Sequence, residues 1–192
     1  MKEKKKIIII CLFVMIVAVG GYLGIKYYLE KDLEQTKQEL QETIEKYGTV
    51  KQENVSTIIA KLNTEIMDSG TNTPATEDSL VIENQLYWYA ITENISCYIK
   101  PQKFTGKKEE DIVEMVALWY EKSEDEQTIE QYAKYLIKAN NEDLTEKEID
   151  QIIKDAKKLS PKNQNAQSGK GLAVAFKEAD NHYEYQVIRI YK

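Results

Sequence analysis

Residues 7–25 read IIIICLFVMIVAVGGYLGI and hold no charge. A helix rises about 1.5 Å per residue, so this run spans ~28 Å, close to the ~30 Å hydrocarbon core of a bilayer. The segment Ile7–Ile25 is therefore expected to sit in a membrane as one helix. Lys2, Lys4, Lys5 and Lys6 precede it and Lys26 follows it. The denser positive cluster stays on the cytoplasmic side. Residues 1–6 are thus expected inside, and everything beyond residue 26 outside, in a single-pass arrangement at the cell membrane. Tyr22, Tyr27 and Tyr28 fall where an outer aromatic belt would lie. The alternative is a secreted product. Ala18-Val19-Gly20 has the small residues of a signal-peptide cleavage site, although hydrophobicity continues to Ile25.

Charge is divided along the chain. Residues 1–26 carry +4 and the whole chain −6, so residues 27–192 sum to −10. An acidic exported part repels phosphate backbones, which argues against nucleic acid as a partner. Among 26 basic residues only Arg189 is an arginine, so little material exists for forked recognition of phosphates or carboxylates. Abundant Lys, Ile, Asn and Tyr with one Arg fits a low-GC Gram-positive bacterium. The two cysteines, Cys11 and Cys97, would be separated by the membrane, so no disulfide framework is expected. Cys97 reads as a small core residue.

The exported part reads in order as helices, strands, helices and strands. Leu29, Leu33, Thr36, Leu40, Ile44 and Tyr47 recur at spacings of three and four, predicting an amphipathic stalk. That stripe suits either packing on the chain's own domain or a homodimer through the stalk. Gly48 interrupts it, and a second helix is predicted near 51–67. Residues 69–78 form a polar loop. Strands are predicted at 79–83, 86–92 and 95–100, then helices at 107–121, 126–139 and 146–159, then strands at 172–177 and 182–191. Ser123 with Glu126, and Thr145 with Glu148, fit capping boxes.

The expected class is α+β. An N-terminal transmembrane helix (7–26, after a basic start at 1–6) and a helical stalk (27–68) precede a polar loop (69–78) and an extracytoplasmic α+β domain (79–192). That domain is expected to hold a small antiparallel sheet of about four or five strands, with three helices inserted between hairpins.

Residue types that carry chemistry are sparse. His182 is the only histidine, so a nucleophilic triad or an ordinary zinc site has little to draw on. Asn140-Asn141-Glu142-Asp143 lacks the ligand spacing of a calcium loop and reads as a loop and helix cap. Ser168-Gly169-Lys170-Gly171 lacks the frame of a phosphate loop. Glu109, Glu110, Asp111 and Glu114 cluster where a helix start is predicted, and there they complement the helix dipole. No catalytic, cofactor-binding or metal-binding residue is assigned.

The tyrosines are more unusual. Tyr87-Trp88-Tyr89, with Tyr98, Tyr183, Tyr185 and Tyr191, lie in predicted strands, where alternate side chains face opposite ways. Either helices cover the second face, or Tyr87, Tyr89, Tyr98, Tyr183 and Tyr185 present a surface to a partner. The sequence therefore suggests a non-catalytic, membrane-anchored interaction or assembly module facing an envelope protein or wall component. A membrane-tethered hydrolase using two carboxylates, or a secreted factor, are the alternatives.

Overall fold

The computed structural model describes residues 34–39, 41–42, 44–68 and 80–191. The expected membrane helix at 7–25 and the polar loop at 69–78 lie outside these. Among the described residues no helix is long and apolar enough to cross a membrane. The chain divides into two compact units, Met1–Thr43 and Ile44–Lys192.

In the first unit the described residues are helical and exposed. Gln35 donates to Glu39 at 3.1 Å and Gln38 to Glu42 at 3.3 Å, the i,i+4 pairing of a solvated helix. In the second unit the helical backbone ends at residue 47. Gly48 takes φ +71° and its N–H bonds the Ile44 carbonyl at 2.9 Å. A glycine adopts this left-handed cap without a Cβ penalty.

The second unit is a two-layer α+β domain. Its strands are β1 (Val81–Glu83), β2 (Leu86–Ala90), β3 (Ile95–Pro101), β4 (Val113–Glu121), β5 (Ala166–Gln167), β6 (Leu172–Glu178) and β7 (His182–Arg189). They form one antiparallel sheet in the order β1-β2-β3-β4-β7-β6-β5. Helices α1 (Val55–Asp68), α2 (Glu126–Asn140) and α3 (Glu146–Leu159) cover one face. The core lies between the layers. Tyr87, Tyr89, Cys97, Ile99, Val116, Leu118, Tyr185 and Val187 from the sheet meet Ile58, Ile59, Leu62, Leu136, Ile137 and Ile152 from the helices.

Three expectations need correction. The sheet has seven strands rather than four or five, and the predicted helix at 107–121 is instead a turn followed by β4. Ile112, Met115, Val116 and Trp119 have helical spacing, yet Val113–Tyr120 is a nearly unbroken apolar run. Such runs belong to central strands with apolar side chains on both faces, and there the two periods cannot be told apart. The partners of β4 are β3 and β7, and β7 lies more than sixty residues downstream. Between α3 and β6 the chain forms a 3₁₀ turn, Ser160–Lys162, and the short β5. Helices α2 and α3 fall where expected. Thr145 and Glu148 form the capping box, but α2 is capped by Asp125, which accepts from Thr128 N at 2.9 Å, not by Ser123.

Residues 47–50 run close against Gly171, whose N–H bonds the Tyr47 carbonyl at 2.6 Å. Gly171 has φ +85°, and a Cβ there would come within 2.3 Å of the Thr49 carbonyl carbon. Gly171→Ala is therefore expected to lower stability by about 2–3 kcal/mol, through left-handed strain and backbone overlap together. Gly169 has φ +68° but open space around it, so Gly169→Ala is expected to cost about 1 kcal/mol. Urea midpoints of the two variants check the difference.

Candidate functional site

Strand alternation decides which side chains face away from the helices. The register sets Trp88 opposite Tyr98, Tyr98 opposite Ala117 and Ala117 opposite Gln186. The neighbouring row sets Ser96 opposite Trp119 and Trp119 opposite Glu184. Met115 and Ile188 pair in the next row. All of these point to the face opposite α1, α2 and α3.

This face has a connected centre. The Trp88 and Tyr98 rings lie 4.7 Å apart, tilted by 37°. The Tyr98 hydroxyl donates to Glu184 Oε2 at 3.1 Å and accepts from Gln186 Nε2 at 3.1 Å. Gln186 Nε2 also donates to Glu184 Oε2 at 2.7 Å. His182 lies 5.1 Å from the Trp119 ring centre and places Nε2 3.4 Å from Glu184 Oε1. Burial, and then the Glu184 charge, push the Tyr98 hydroxyl well above the ordinary phenol range. It thus stays neutral and donating. The two partly exposed tryptophans pack against members of this network, Trp88 on Tyr98 and Trp119 on His182. Aromatic groups of this size suit contact with another surface, because they bury much area for few rotatable bonds.

Of the five tyrosines expected to meet a partner, Tyr87, Tyr89 and Tyr185 are buried under the helices and form no part of an exposed surface. Helix coverage accounts for them. Tyr183 is partly exposed at the margin of the same side. Only Tyr98 faces the open side, and it is 7% exposed beneath Trp88. The open face instead brings forward Trp88, Trp119, His182, Glu184 and Gln186. Trp88 was readable from strand alternation, since it sits between two inward tyrosines. Trp119 was hidden by the helical reading of its strand.

The other candidate groups have structural uses. Asp111 is 1% exposed and does not start a helix. Lys170 Nζ bonds Glu148 at 2.8 Å and the Asp143 carbonyl at 2.9 Å, so the Ser168–Gly171 segment is tied to α3 and its cap. The Lys170 ammonium, with the Thr145 donors, holds the Glu148 carboxyl down at about 2. Asn141 closes α2 by its backbone N–H, and Asn140 Oδ1 accepts from Arg189. Burial raises the Cys97 thiol to about 12, which leaves it a packing residue rather than a nucleophile. Among the described residues no group of three or more His, Cys, Asp or Glu could hold a metal ion.

No family model, curated protein or solved structure matches this chain.

Proposed function

We propose that the chain is a non-catalytic interaction module, anchored by Ile7–Ile25 in the cell membrane of a Gram-positive bacterium. Its α+β domain faces outward and docks a protein of the envelope. The docking surface is the open face of the sheet. The observation that carries this reading is the pair of partly exposed tryptophans, Trp88 and Trp119, joined through Tyr98, Glu184, Gln186 and His182 on the sheet face opposite α1, α2 and α3. Tryptophan and tyrosine anchors are among the residues that dominate protein–protein binding. The acidic balance of the exported part favours a partner with basic residues around its contact surface.

The test is a double variant, Trp88→Ser with Trp119→Ser, in the full-length chain. Both side chains already contact water, so the thermal midpoint should shift by no more than about 5 °C. Recovery of a crosslinked protein neighbour from intact membranes should fall at least ~10-fold. Unchanged recovery from a folded double variant would refute docking through this face.

A further inference from the structure

The first turn of α2, the last turn of α3 and the ends of β4, β6 and β7 enclose a groove of about 390 Å³. It lies on the helix-bearing side, away from the open face. Its walls are rings. Phe176 stacks on Tyr183 at 5.6 Å and 19° and meets Tyr185 at 5.0 Å, and Tyr120 lies 5.6 Å from Tyr183. Its rim carries four glutamates against two lysines, a local balance of −2.

The lysines show what the groove accepts. Lys122 Nζ sits 4.9 Å from the Tyr183 ring centre and 2.9 Å from Glu178 Oε1. Lys157 Nζ donates to Glu126 Oε1 at 2.6 Å and also to Glu130. One ammonium is thus held by a ring face and a carboxylate together, the other by two carboxylates. Tyr185 adds a second, independent sign. It is fully buried, lines the groove, and its hydroxyl has no hydrogen-bond partner. Burial, and then the Glu130 and Glu126 charges, keep that hydroxyl protonated far above the ordinary phenol range. The oxygen itself is closed to solvent, so a neutral phenol acceptor with unused lone pairs lies just behind the wall of an acid-rimmed aromatic groove.

We propose that this groove binds a primary alkylammonium group, as a lysine side chain presents, and that Lys122 is a resident cation which the ligand displaces. Lys122 and Glu178 have side chains 33% and 59% exposed, so their exchange leaves the core untouched. The ring faces attract any cation, but the carboxylates bond only one that carries N–H donors. That difference selects a primary ammonium over a quaternary one. The site does not depend on docking through the open face.

Titration calorimetry of the full-length chain with Nα-acetyl-lysine methylamide, and in parallel with choline, tests this. Saturable binding of the lysine probe in the millimolar range is expected. Lys122→Met should tighten it about 10-fold, because the resident competitor is gone, and Tyr183→Leu should weaken it about as much. Choline should bind at least ~10-fold more weakly than the lysine probe. Absence of lysine-probe binding to both the native chain and a folded Lys122→Met variant would overturn the proposal, as would choline binding equal to the lysine probe.

Discussion

Replacing Arg189 by methionine is expected to lower folding stability by about 3–5 kcal/mol, the cost of breaking a buried ion pair on one side. Arg189 is 4% exposed, and its guanidinium divides its donors among separate elements of the chain. Nη1 bonds the Asn140 carbonyl at 3.1 Å and Asn140 Oδ1 at 2.9 Å, holding the end of α2. Nη2 bonds the Lys51 carbonyl at 2.7 Å and Glu53 Oε2 at 2.8 Å, holding the segment that leads into α1. Nε bonds the Tyr191 hydroxyl at 2.8 Å. Methionine would fill much of the volume but leave a largely buried carboxylate facing only Lys61, 2.7 Å away. The thermal midpoint should fall on the order of 10 °C. Arg189→Lys should lose about 2 kcal/mol or more, since one ammonium cannot reproduce the planar fork. Because the site is buried, raising salt to about 0.5 M should change neither difference much. A midpoint within about 2 °C of the native chain in Arg189→Met would show that the clamp contributes nothing.

The second large effect lies at Asp111. Its carboxylate accepts from Thr105 Oγ1 at 2.6 Å, Thr105 N at 3.0 Å, Gly106 N at 3.3 Å and the Tyr87 hydroxyl at 2.5 Å. These bonds fold the turn between β3 and β4 and fix a core tyrosine. Asp111→Ala would strand the Tyr87 hydroxyl and the Thr105 N–H, with an expected loss of about 3–4 kcal/mol. The effect depends on pH in a defined direction. Burial raises the Asp111 carboxyl, but the Thr105, Tyr87 and backbone donors outweigh it, and the net shift is downward from 3.8. A carboxyl lowered in the folded state stabilises fully above its unfolded value of about 4, and the contribution fades as acid protonates the folded group. The gap in thermal midpoint between the native chain and Asp111→Asn should therefore be widest near neutrality and narrow steadily below about pH 4. A gap constant from pH 7 to about pH 2.5 would mean that the carboxylate charge is not what the turn uses.

How much of this could be read in the sequence depends on how local each determinant is. α2 and α3 show in their apolar stripes, and the Thr145–Glu148 box marks the start of α3 from residues three apart. The β2–β3 hairpin shows because its strands are adjacent and alternate cleanly. β4 does not show, because both of its partners are fixed by the fold and its two faces are both apolar. The same difficulty hid the open face. Trp119 can be paired with Glu184 and His182 only once β4 is known to lie beside β7. Asp111 was readable as one acid among four, but its hydrogen bonds arise from a turn rather than a helix start. Arg189 stood out as the single arginine, while its clamp joins residues 51, 53 and 140. The aromatic groove unites strands and helices from both halves of the domain, so no short segment announces it.

Photo-crosslinking from chosen positions in living cells addresses the docking surface most directly. p-Benzoylphenylalanine would replace Trp119 on the open face and, separately, Lys154 on the exposed side of α3. A discrete protein adduct from position 119, absent from position 154, is the predicted result. Identical adducts from both positions, or lipid alone captured at 119, would contradict docking through the open sheet.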